Sequence, residues 1–231
     1  MLAPKCCYFI CFAVLVSSML LQAQQADETP KAESKPDRNS ISLHMVGTIG
    51  NGSLQGTTMD RRLFLLGAAY NRLLTTRKFA SLTFTSEIIP VAILREPYII
   101  ATDIQAFRSS PPGTEFRKNY GFGASPVGIR VNFLPGKRMQ PFFGVQGGFL
   151  RFNHTALADN ASHFNFTIDG RGGVEFPLRS EKSIAFAYMF QHMSNAYIAR
   201  ENPGVDSYML TMEYRFPLRL KRESREKNHD K

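Results

Sequence analysis

The sequence predicts an all-β chain, an eight-stranded antiparallel transmembrane β-barrel of the outer-membrane type. Three observations carry this. Apolar residues recur with period two from Ile41 onward, the alternating segments number eight, and the connections between them alternate short and long. Period two sends successive side chains to opposite faces of a strand, whereas a helix needs 3.6. An even set of tilted segments of about ten residues can cross a bilayer and close on itself.

From the start of the chain, Cys6 to Leu21 is the single long apolar run, preceded by Lys5 and followed by Gln22-Ala23-Gln24-Gln25-Ala26. This is the layout of a secretory signal peptide at 1–23, cleaved after Ala23 or as late as Ala26. Its apolar stretch falls short of the about 20 residues that a membrane anchor needs. Cys6, Cys7 and Cys11 all lie in the part removed, so the mature chain is expected to carry neither a disulfide nor a thiolate metal site. Residues 24–40, rich in Lys, Glu, Pro and Ser, read as a disordered leader.

The barrel is expected over 41–219. In the first strand, 41–50, Ile41, Leu43, Met45 and Ile49 alternate with Ser42, His44 and Thr48. The second falls at 62–74. In the third, 78–90, Ala80, Leu82, Phe84 and Ile88 alternate with Ser81, Thr83, Thr85 and Glu87. The fourth, 119–133, changes parity near Ser125-Pro126, as a β-bulge would make it do. The fifth spans 139–152. The sixth, 163–176, sets Phe164, Phe166, Ile168 and Val174 against Asn165, Thr167, Asp169, Arg171 and Glu175. The seventh, 182–194, places Ile184, Phe186, Tyr188 and Phe190 on one face, and the eighth, 206–219, does the same with Tyr208, Leu210, Met212, Tyr214 and Phe216.

Short connections near 75–77, 134–138 and 177–181 and long ones at 51–61, 91–118, 153–162 and 195–205 are the pattern of periplasmic turns and extracellular loops. A soluble, lipocalin-like barrel shows the same alternation in the opposite sense, so periodicity alone leaves both open; signal peptide, even strand count and loop lengths favour the membrane form. Eight strands leave an interior just filled by side chains. That excludes a porin-like channel and asks Glu87, Asp169, Glu175 and Glu213 to pair inside with Arg171 and Arg215.

The net charge of +9 is carried in part by the charged tail, 220–231. Nucleic acid is a poor partner for an exported chain; an anionic membrane surface fits better, and a solvated end fits equally well. Arg61, Arg62, Arg95 and Lys118 fall near the long loops, where lipid phosphates or plain solvent would meet them. His44, His154, His163 and His229 lack metal-ligand spacing, so neither metal nor cofactor is expected.

The seventh strand continues its apolar parity into His192 and Ser194, so both should face lipid. Residues two apart on a strand lie about 6.6 Å apart with parallel side chains, which is a spacing for a base and a nucleophile. Running the parity of the eighth strand backward reaches Asp206 on the same face, and hairpin pairing would set it beside His192, roughly 5 Å away. A carboxylate there can hold the imidazole tautomer and stabilise the imidazolium. Polar residues are also ordinary where strands leave a membrane. The convergence of three on the lipid side, where unpaired polar groups are costly, raises the odds of chemistry.

The runs Gln191-His192-Met193-Ser194-Asn195-Ala196 and Glu201-Asn202-Pro203-Gly204-Val205-Asp206, with the apolar strand to Phe216, resemble the lipid A 3-O-deacylase (PagL-type, acyloxyacyl hydrolase) family. The resemblance implies an outer-membrane serine esterase that removes an ester-linked acyl chain from lipid A of lipopolysaccharide. On this likeness His192 is the general base, Ser194 the nucleophile and Asp206 the orienting acid, where the best-known members use Glu. Asn195 and Asn202, or nearby backbone N–H groups, are the candidates for the oxyanion hole. The alternative from another class is a non-catalytic small outer-membrane barrel with a structural or lipid-binding role. Oligomeric state is left open.

Overall fold

The computed structural model describes residues 38–98 and 114–218; the expected signal peptide, nearly all of the leader and the charged tail lie outside them. Eight strands run in order: β1 (Asn39–Gly52), β2 (Arg62–Thr76), β3 (Ala80–Pro97), β4 (Phe116–Phe133), β5 (Gln140–Phe152), β6 (Phe164–Pro177), β7 (Ser183–Ser194) and β8 (Val205–Pro217). Each pairs antiparallel with the next, and β8 returns to β1, closing the barrel.

β3 and β4 are longer than the sequence suggests, and the residues from Val91 to Pro97 that read as loop are strand. The cause is Pro90. Proline cannot donate to a ladder, so the β3–β4 register slips between Ile89 and Ala92 and the alternation changes phase there. The bulge expected at Ser125-Pro126 is present, as a slip between Ala124 and Val127 in the β4–β5 register.

The sense of the alternation decides what surrounds the barrel. Leu43, Ile88, Val127, Phe143, Ile168, Phe186 and Leu210 stand exposed on its outside, while Glu87, Arg130, Asp169, Glu175 and Glu213 are buried within. A soluble barrel would reverse this. A lysine or arginine on a lipid-facing wall costs about 2–4 kcal/mol at the bilayer midplane, so an apolar exterior over a charged interior is the arrangement hydrocarbon selects.

Inside, two layers stack. Towards the short turns, Arg130 donates to Glu213 at 2.8 Å and to Glu175 at 2.6 Å, while Arg215 pairs with Glu213 at 3.0 Å and Glu175 at 3.3 Å. Arg171 joins Asp169 at 3.0 Å and Glu87 at 3.6 Å, and His44 Nε2 meets Glu87 at 2.8 Å. The expected Glu and Asp partners of Arg171 and Arg215 are thus in place; Arg130 and His44 are additions. Towards the long loops the interior turns apolar, with Leu65, Leu94, Leu150, Met189, Met193 and Met209 packed beneath Ala156 and Leu157 of the β5–β6 loop. The cavity beside His44, Glu87 and Arg171 is about 20 Å³, room for about one water.

Candidate active site

The β7–β8 hairpin keeps its register without interruption from Ser183↔Arg215 to Met193↔Val205, so strict alternation persists to the outer rim. Met189, Gln191 and Met193 therefore point inward and are buried, and His192 and Ser194 point outward and are half-buried. His192 and Asp206 are directly opposed across the pair. Their side chains meet, with His192 Nδ1 2.7 Å from Asp206 Oδ1. An ionised carboxylate only accepts, so Nδ1 carries the proton, and in the neutral imidazole Nε2 is the acceptor. Ser194 stands two residues on, on the same face, opposite Phe166 of β6. No hydrogen bond joins the Ser194 hydroxyl to His192 among the described residues.

Asp206 differs from expectation in one respect. Its parity is outward, yet it is 0% exposed and does not face lipid. The first outer loop crosses over it. Gln55 N–H donates to Asp206 Oδ2 at 2.8 Å, and Asn51 Nδ2 donates to the Asp206 carbonyl at 3.3 Å. The loop is pinned next door, where Thr57 N, Thr58 N and Thr58 Oγ1 all donate to the Gly204 carbonyl at 2.9, 3.1 and 3.0 Å. Two glycines permit this closeness. A Cβ on Gly56 would lie 2.5 Å from Asp206 N, and one on Gly204 would lie 2.8 Å from His192 Cε1. The carboxylate thus has one oxygen for the imidazole and one for the strap. The hold on the carboxylate was not foreseen, because its donor, Gln55 N–H, is a main-chain group that leaves no mark on residue type.

Asn195 is buried and committed to the loop beyond Ser194: its Nδ2 donates to Glu201 O at 2.6 Å and its Oδ1 accepts from Tyr197 N at 2.9 Å. These bonds brace a sharp reversal in which Ala196 and Tyr197 take left-handed φ values of 50° and 63°. Asn202 Oδ1 accepts from Asn195 N at 2.9 Å, and its amide N–H₂ group makes no bond among the described residues. Beyond Phe166, Phe164 and Phe149 extend an aromatic surface with ring centroids 5.1 Å apart, bordering an outward groove of about 580 Å³ lined by Tyr120, Phe122, Arg151 and Ile198.

The profile of the lipid A 3-O-deacylase (PagL) family matches residues 102–215, a span that takes in β7 and all but the last two residues of β8. Over that span, just under half of its length, the chain is similar to this family. The matching family is one of ester hydrolases of the lipid A deacylase class. Among solved structures it is similar to the outer membrane enzyme PagL, at 18% identity and a TM-score of 0.52, covering 78% of this chain and 99% of that one. That likeness is one of fold. It is also similar to Neisserial surface protein A at 15% identity and TM-score 0.47, covering 80% and 100% of the two chains. OprG from Pseudomonas aeruginosa follows at 10% identity and TM-score 0.44, covering 79% and 98%. No curated protein matches the sequence.

Proposed function

We propose that this chain hydrolyses an ester-linked acyl chain of lipid A through Ser194, His192 and Asp206, on substrate that reaches the outer wall by lateral diffusion. The observation that carries the reading is the 2.7 Å contact between His192 Nδ1 and Asp206 Oδ1, which leaves Nε2 unprotonated on the side chain next to Ser194. In the first step Nε2 takes the Ser194 proton as Oγ attacks the ester carbonyl. The imidazolium so formed is held against Asp206, then gives that proton to the departing alkoxide of the sugar. Water, deprotonated in turn by His192, attacks the acyl-serine and releases the fatty acid with Ser194 restored.

The negative oxygen of the tetrahedral intermediate needs donors, and Asn202 Nδ2 and the Ala196 N–H are the candidates, since the N–H groups of Asn195, Tyr197 and Ile198 are already bonded within the loop. Asn195 serves the site by fixing the loop. The aromatic surface of Phe166, Phe164 and Phe149 lies beside the nucleophile and offers the acyl chain an apolar track. Labelling of the full chain in lipid bilayers with a fluorophosphonate tests the nucleophile. Labelling confined to Ser194 and lost in His192→Ala is expected; equal labelling of Ser194→Ala, or none in the unsubstituted chain, contradicts the reading and favours a non-catalytic barrel.

A further inference from the structure

Arg62, Arg95 and Lys118 lie on three adjacent strands, and the register sets them in one row. Arg62 is directly opposite Arg95 across β2–β3, and Arg95 is directly opposite Lys118 across β3–β4. All three are exposed on the outward face at the long-loop end. Directly opposed positions bring side chains to about 5 Å, where like charges repel and destabilise a sheet. Among the described residues none of the three forms an ion pair. Of the acids close by in sequence, Glu96 points inward and bonds Arg117 and Asn119, Asp60 acts on the Arg61 guanidinium, and Glu115 is exposed and forms no ion pair with the row among the described residues.

The row has a structured centre. The Arg95 guanidinium stacks on the Phe116 ring at 3.7 Å from its centroid, which fixes the plane and leaves its edge N–H groups to donate. Below the row the same wall is apolar, with Phe64 and Tyr120 exposed. Cations above an apolar belt match a lipid whose phosphates sit just outside the hydrocarbon. Arg61, the fourth basic residue near these loops, has no part in it: it is buried, with Nη2 bonded to Leu157 O at 3.2 Å.

We propose that the β2–β4 wall is a second lipid site, holding the phosphorylated glucosamine headgroup of one lipid A molecule between Arg62, Arg95 and Lys118. It lies away from the β7–β8 hairpin, separated from it by β1 on one side and by β5 and β6 on the other. A lipid bound there cannot present its ester to Ser194, so the site anchors the barrel among substrate molecules without turning one over. The proposal rests on the outward direction of this wall; its expected two-lipid stoichiometry rests also on the proposed function, since one of the two lipids is the substrate held beside Ser194.

The test uses the full chain with Ser194→Ala in detergent micelles, titrated with bisphosphorylated lipid A and followed by native mass spectrometry. Two lipids bound per chain are expected. In the combined Arg62→Gln, Arg95→Gln, Lys118→Gln variant the second should bind roughly 100-fold more weakly. A control losing the same charge at the short-turn end, Arg77→Gln, Arg138→Gln, Lys182→Gln, should keep both, and lipid A stripped of its phosphates should fill only one. Circular dichroism verifies that each variant is folded. Unchanged binding in the first variant, equal loss in the control, equal binding of dephosphorylated lipid A, or displacement by inorganic phosphate at the same concentration overturns the proposal. Failure of the catalytic reading is recorded separately, by the fluorophosphonate.

Discussion

Asp206 has one methylene fewer than the glutamate that the best-known family members carry, and the backbone makes up the difference. Direct opposition of His192 and Asp206 brings their Cα atoms close enough for the shorter side chain to reach Nδ1 at 2.7 Å. Its second oxygen is then held by Gln55 N–H. Replacing Asp206 by Asn should leave the barrel folded, reverse the imidazole tautomer and lower lipid A deacylation by about 10⁴-fold. Replacing Gly56 by Ala tests the strap. The new Cβ meets main-chain atoms of Val205 and Asp206 that cannot swing aside, so the strap must lift from the carboxylate. Deacylation is expected to fall mainly in kcat with KM nearly constant; a change in KM alone would mean that the strap contacts substrate instead of orienting the acid.

The β7–β8 hairpin and the interior ion pairs differ in how much of them residue order could reveal, and the difference lies in the strands themselves. Along β7 and β8 the register never slips, so counting by two from Phe186 reaches Ser194, and counting by two from Leu210 reaches Asp206, on the correct face. Along β4 the slip expected at Ser125-Pro126 resets the phase, and only a fresh count from Val127 puts Arg130, the centre of the inner network, on the inward face. Arg130 bridges Glu175 and Glu213, and its loss leaves Arg215 as the one cation paired with both carboxylates among the described residues. Arg130→Ala is accordingly expected to lower unfolding stability in urea by about 3–5 kcal/mol, the usual cost of breaking a buried pair, while the isolated site chemistry persists. A loss under 1 kcal/mol would mean that water solvates the network. The strap belongs to neither strand, and contacts of loop backbone across a long separation have no periodicity to read.

For the whole molecule, the sequence supplied the strand count and the alternation but not its sense, because a soluble barrel repeats every second residue too. Burial resolves it: the charges are inside and the aromatic and aliphatic residues outside. An arginine at Ile88, 62% exposed on the outer wall, should therefore cost about 2–4 kcal/mol of stability in a bilayer, and much less if the wall met water. This inverted exterior also gives the candidate triad its setting, since a nucleophile on the outside of a closed wall can reach only what diffuses along that wall. The most direct test is mass spectrometry of lipid A from cells producing the unsubstituted chain, Ser194→Ala or His192→Ala at equal outer-membrane abundance. The account expects lipid A lighter by one ester-linked acyl chain with the unsubstituted protein and full-length lipid A with both variants; identical lipid A in all three would contradict it.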